Sequence, residues 1–340
     1  MVVEPSLRVS VSDHGIQIGD RCLISLQRTL RIPDDGRVYP LPPGLGLFPV
    51  FPVSRFAEAF APDVADRSDV FVPMYQREAL WLGFHAADWK PNAAKVSIGG
   101  VNAVSGEAYH HELHDDPQDY LVCPHQPWLD GVNVGGGVVR QFVAMPLGMG
   151  YTVEAALTGG EERGGLQVTV YEPKPGRFPD RPPNRIAEPA TAAFAPRAPG
   201  GRSMGLGAGG SMAQKIYPDP YGVETWDERV FGTVKILLVN SDQFRDITGR
   251  DPPPTPVSGS TYTERGLPWF GVYDEAEGQV EPAERLTRLK TVAERDRERG
   301  DASADQSSID VPETQIERTV PGAVEPPTRG PNGTTKGTGG

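Results

Sequence analysis

The chain has 340 residues, a formal net charge of −12, 38% hydrophobic residues, 40 glycines, 35 prolines and only two cysteines. The acidic balance repels phosphate backbones and anionic membrane surfaces, which argues against nucleic acid as a partner. No apolar run approaches the ~18 residues of a membrane span, Cys22 and Cys123 are too few for a disulfide framework, and no basic-then-apolar leader follows Met1, so the chain is expected to be cytoplasmic with both thiols free.

Abundant glycine and proline favour short strands joined by turns. Leu7, Val9 and Val11 alternate with Arg8, Ser10 and Ser12, the period-2 pattern of a half-buried strand. Asp13-His14-Gly15 is a turn, Ile16 and Ile18 resume the alternation, residues 23–32 predict another strand, and Asp35-Gly36 a hairpin-type turn. The proline-rich stretch 40–53 reads as extended cover over the core, since proline cannot donate to a ladder. Residues 55–67 read as a short helix or turn. Strands are predicted at 79–84, 94–98, 120–123 and 138–145, followed by 151–157 and 166–171 facing each other across a glycine-rich hairpin loop at 158–165.

Residues 173–211 carry eight prolines between 173 and 199 and then a run of glycines, which predicts a long surface loop. Residues 215–227 read as an aromatic loop and 233–239 as a continuous apolar strand. Asn240-Ser241-Asp242 is an N-cap signal for a helix over 242–248, stopped by Gly249. Residues 267–273 form an aromatic clasp. A charged helix at 283–299 has a thin apolar stripe of Leu286, Leu289 and Val292. Residues 300–340 lack aromatics and are rich in Ser, Thr, Pro and Gly, so burial cannot offset their ordering entropy and disorder is expected. Together these elements predict an all-β chain: an antiparallel, jelly-roll-like β-sandwich over 1–275 with short peripheral helices. The N-terminal strands and 233–239 would share a sheet. A charged helix or linker at 276–299 and a disordered tail at 300–340 complete the chain.

Gly205-Leu-Gly207-Ala-Gly-Gly210 matches G-x-G-x-x-G, but a dinucleotide site needs a strand directly before it, and Ala-Pro-Arg-Ala-Pro-Gly-Gly-Arg-Ser is not one. A flexible glycine loop is the expectation. No G-x-S-x-G elbow and no Walker A sequence occur. The most specific chemistry lies in Tyr109-His110-His111-Glu112-Leu113-His114-Asp115-Asp116 and Cys123-Pro124-His125, where four of the six histidines fall within sixteen residues. Imidazole, thiolate and carboxylate are zinc ligands, so His110, His111, His114, Asp115, Cys123 and His125 are the metal-ligand candidates, with zinc the possible cofactor. His111-Glu-Leu-His114 is not H-E-x-x-H, and an acidic surface loop is the bland alternative. Trp128 beside Asp130 is the candidate ligand platform for a sugar, although a tryptophan more often anchors a core. Asp115, Asp116, Asp119, Asp130 and Glu154 are the carboxylates from which an acid/base pair could be drawn, while Glu154 and Arg140 are expected as cross-strand partners.

Several blocks occur together: Arg77-Glu-Ala-Leu-Trp81, Lys95-Val-Ser-Ile-Gly-Gly-Val-Asn-Ala-Val-Ser-Gly106, Gln118-Asp-Tyr-Leu-Val122, Gln126-Pro-Trp-Leu-Asp-Gly131 and Val139-Arg-Gln-Phe-Val-Ala-Met-Pro-Leu147. In these the chain resembles a family of uncharacterised microbial β-rich proteins. The resemblance implies that 70–172 forms one structural unit; it implies no activity, cofactor or catalytic residue. The leading expectation is therefore a non-enzymatic structural or protein-interaction module that self-assembles, because the edge strands of an open sheet must be covered or paired with another chain. A homo-oligomer or a protein partner follows from that reading. The alternative is a metal- or carbohydrate-binding protein or hydrolase using the 109–130 region.

Overall fold

A computed structural model describes residues 6–60, 69–182, 204–254, 258–272, 278–301 and 307–319. In chain order the strands are Val9–Ser12 (β1), Gly15–Ile18 (β2), Cys22–Thr29 (β3), Val38–Tyr39 (β4), Gly44–Leu47 (β5), Phe51–Pro52 (β6), Val70–Met74 (β7), Ala79–His85 (β8), Asn92–Ile98 (β9), Val101–Asn102 (β10), Leu121–Cys123 (β11), Trp128–Leu129 (β12), Gly131–Gly135 (β13) and Val138–Pro146 (β14). Helix Val153–Thr158 (α1) precedes Leu166–Pro173 (β15), Met204–Ala213 (β16) and Trp226–Asn240 (β17). Helices Ser241–Thr248 (α2) and Gly259–Glu264 (α3), strand Trp269–Val272 (β18), helices Glu284–Thr287 (α4) and Val292–Arg299 (α5), and strand Ile316–Thr319 (β19) complete the set.

The chain is all-β in its main body, with β1 to β17 joined in one hydrogen-bonded sheet. One antiparallel ladder runs β1-β2-β3-β8-β14-β16. A second runs β11-β9-β15-β17, and β7 adds to β17 in parallel. Hydrogen bonding does not divide them into the two separate sheets that a sandwich implies. They meet where Met204 pairs with Leu238, and again where the Ser6 and Leu7 amides donate to the Phe231 carbonyl, each at 2.9 Å. β1 to β3 and β17 thus belong to the same sheet.

Period-2 alternation places Leu80, Leu82 and Phe84 of β8 opposite Arg28, Leu26 and Ile24 of β3. On the second ladder Val168 lies between Val96 and Val234, and Leu166 between Ile98 and Ile236. Apolar side chains from both ladders enter one continuous core. Each fully buried side chain of this size stabilises the fold by about 1.5–3 kcal/mol.

Four expectations change. Residues 151–157 are not a strand: α1 forms because the Thr152 hydroxyl accepts the Ala155 amide at its start and Gly159, at φ +79, ends it in the left-handed region. Glu154 accordingly does not meet Arg140. Its carboxylate accepts the backbone amides of Glu162, Arg163 and Gly164 at 2.8–3.1 Å, while Arg140 donates to the Leu289 carbonyl. The glycine run 205–210 is not a flexible loop but the middle of β16, paired with β14 from Met204 to Ala213. Glycine is required there because other segments lie directly on the strand. A Cβ at Gly207 would sit 3.0 Å from the Tyr151 carbonyl oxygen and from Val292, and one at Gly210 would run into the Pro33 carbonyl.

The stretch 283–299 is two short helices, α4 and α5, rather than one. Their thin stripe docks: Leu286, Leu289 and Val292 are buried, and the α5 start carries a Thr291–Glu294 capping box. Within the tail, the short segment 307–319 makes backbone and side-chain contacts with the body. β19 lies parallel to β18, Ile309 is buried, and Ser308 donates to Asp35. Residues 61–67, 183–203, Tyr273 and 320–340 lie outside the described residues. Among those described, no helix is long and apolar enough to cross a membrane.

Candidate functional site

Strand β9 reads Asn-Ala-Ala-Lys-Val-Ser-Ile, with Ala94, Val96 and Ile98 turned into the main core. The alternation places Lys95 on the opposite face, beneath the loop 107–119 that leaves β10. That loop is pinned on both sides. The Tyr109 amide donates to the Gly100 carbonyl (2.8 Å), the Asn102 side chain to the Asp119 carbonyl (2.7 Å), the Leu113 amide to the Glu228 carboxylate (2.7 Å), and the Tyr171 hydroxyl to the His111 carbonyl (2.6 Å). Cover from the loop leaves Lys95 with none of its surface exposed.

A buried ammonium must be paired and hydrogen-bonded. Lys95 Nζ donates to Asp119 Oδ2 at 2.8 Å, to the His110 carbonyl at 3.2 Å and to the Glu112 carbonyl. Burial pushes the Lys95 ammonium below its ordinary pKa, against the opposing pull of Asp119, Glu112 and Glu228. Asp119, also buried, accepts the His114 amide at Oδ1 (3.0 Å). Its Oδ2 faces His114 Nδ1 at 3.2 Å and His110 Nε2 at 3.5 Å. The two imidazoles stand edge to face, 4.5 Å between centroids. They form the mouth of the site, 38% and 53% exposed for His110 and His114, over a floor of Lys95 and Asp119.

His110 Nδ1 lies 3.0 Å from the Glu112 carbonyl and 3.4 Å from Lys95 Nζ, while its Nε2 faces Asp119, so its neighbours do not fix a single tautomer. His111 is settled by its partner: a carbonyl only accepts, so the proton is on Nε2, which donates to the Glu228 carbonyl at 2.6 Å. His111 is thereby spent on holding the loop. One ligand atom each from His110, His114 and Asp119 lies within 4.8 Å of the others. Two imidazole nitrogens and a carboxylate oxygen, opening to solvent, form a donor set suited to a divalent transition metal.

The other sequence candidates lie apart from this cluster. Asp115 is exposed and makes a backbone bridge to Gln118. Cys123 is fully buried in the main core, as is Cys22; burial pushes the Cys22 thiol up to about 12 and Cys123 well above its usual value, so neither is a reactive thiolate. His125 lays its ring against Tyr217, 5.3 Å between centroids. Trp128 is 6% exposed in β12, and Asp130 is clamped by Gln214, whose side chain donates to Asp130 Oδ2 (2.7 Å) and accepts the Asp130 amide (3.0 Å). No open face is left for stacking a sugar between them.

Two members of the cluster escaped sequence reasoning as parts of one site. Asp119 appears there only as a possible acid/base, and Lys95 only as a strand residue. The available signal was a lone lysine inside an otherwise apolar and small-residue strand, which requires a buried counter-charge elsewhere in the chain. Compared with known families, curated proteins and solved structures, the chain matches no family model, no curated protein and no solved structure.

Proposed function

We propose that the protein binds a divalent transition metal, zinc foremost, through His110, His114 and Asp119. The observation that carries this reading is the convergence of three ligand atoms within 4.8 Å on a carboxylate held by the protein itself. The Glu112 carbonyl orients His110 and the His114 amide orients Asp119, the outer hydrogen bonds a metal centre uses to fix its ligands. Lys95 is the counter-cation that keeps Asp119 paired when no metal is bound. It also repels an arriving dication, so the affinity is moderate rather than that of a structural zinc site. Chelator-treated protein, reloaded with zinc and analysed by native mass spectrometry, should carry one metal per chain. The double variant His110→Ala/His114→Ala should carry none. Failure of the wild type to retain zinc, or equal retention by the variant, overturns the proposal.

A second reading, a structural or interaction module that self-assembles, is supported by one observation. β18 already accepts a separate segment, β19, as an added parallel strand on one side while bridging Leu41 on the other. Sedimentation over a range of concentrations should then show mass above that of one chain; a strict monomer throughout ends that reading.

A further inference from the structure

A groove of about 430 Å³ opens between the C-terminal half of α1 and the α4–α5 segment, far in sequence from the histidine mouth. Arg285, Arg288, Lys290 and Arg295 line it, with Leu157 and Leu289 among its apolar residues. One carboxylate, Glu284, is also present. With the carboxylates paired to these side chains, Glu107 and Glu298, counted alongside Glu284, four cations less three anions leave a local balance of +1 on a chain whose net charge is −12. Such a local reversal of sign focuses potential and attracts anions.

The cations are held outward by weak partners. Arg285 meets Glu107, Arg288 meets Glu284, and Lys290 meets Glu298, which also lies 3.9 Å from Arg295. The carboxylates in these pairs are between 46% and 75% exposed. Exposed pairs of this kind contribute little and are readily exchanged. The backbone beneath them is fixed by the buried Leu286, Leu289 and Val292, by the capping box of α5 and by the Arg77–Asp296 ion pair. The site is thus a packed backbone carrying exposed, ion-paired side chains. Three guanidiniums and an ammonium outnumber by one the three carboxylates paired with them, and guanidinium forks match phosphate oxygens in pairs.

We propose that this groove binds a small multivalent anion of the oligophosphate class. The test is calorimetric titration of the full-length, chelator-treated protein with sodium tripolyphosphate at low salt. Sodium chloride matched in ionic strength is the control, and thermal melts are run in parallel. Wild type should show saturable binding at one site and a rise in Tm. Arg288→Ala/Lys290→Ala removes two side chains that are 74% and 51% exposed, so it leaves the fold intact, and it should bind roughly tenfold or more weakly. His110→Ala/His114→Ala should bind as wild type does. Absence of saturable binding, equal affinity in the Arg288/Lys290 variant, or a chloride control that reproduces the Tm shift overturns the proposal.

Discussion

Replacing Asp296 with asparagine removes a single charge at the joint between α5 and the sheet. The Asp296 side chain is fully buried and accepts Arg77 Nη1 at 2.9 Å, Arg77 Nη2 at 2.7 Å and the Tyr151 hydroxyl at 2.8 Å. Asn keeps the shape but turns one acceptor into a donor facing donors. Breaking one side of a buried ion pair costs about 3–5 kcal/mol. Arg77 keeps 26% of its side chain in water, which recovers part of that loss and brings the expected cost to about 2–3 kcal/mol. The pH dependence gives a second readout. Burial raises the Asp296 pKa, but hydrogen bonds from Arg77 and Tyr151 lower it further, so the folded value lies below the usual carboxylate range. A depressed folded pKa contributes stability that is present above the unfolded value, about 3.9, and is lost as pH falls through the folded one. Urea denaturation at neutral pH should therefore show the full gap between wild type and Asp296→Asn, and the gap should close in acid below about pH 4. A difference under about 0.5 kcal/mol at neutral pH, the range of an ordinary surface change, refutes the reasoning, as does a gap that persists unchanged in acid.

Gly210→Ala drives a Cβ into the Pro33 carbonyl and should destabilise the protein by about 1–3 kcal/mol; a melting curve superimposable on wild type would show that the strand has room to yield. Lys95→Met leaves the buried Asp119 without its counter-cation and should cost about 3 kcal/mol in metal-free protein. The same variant should bind zinc more tightly than wild type, because the competing charge is gone. Weaker zinc binding by a folded Lys95→Met protein counts against the role assigned to Lys95.

Strand positions were legible wherever alternation met an apolar core, as in Leu80, Leu82 and Phe84 or in Val168 and Val170. Alternation failed at 151–157 because Tyr-Thr-Val-Glu-Ala-Ala-Leu fits both periods, and the deciding signals are local ones, the Thr152 cap and Gly159. It failed at 204–213 for a different reason. A glycine strand has no side-chain pattern to read; what makes it a strand is the chain lying on both of its faces. At the site, His110 and His114 stood out by their proximity in sequence, but the same proximity drew in His111, Asp115, Cys123 and His125. Which of these converge is set by loop anchoring to Glu228 and by the register that brings Lys95 under the loop, both products of long-range pairing.

During synthesis the ribosome releases β14 and β16 well before α5 exists. Val143, Met145 and Tyr151 form a buried cluster completed by Val292, the residue that also closes over Gly207. A nascent chain therefore displays that apolar patch until its C-terminal segment emerges and docks. Chains terminated before residue 292 should keep that patch uncovered and so be handled by chaperones and proteases rather than accumulate as folded fragments.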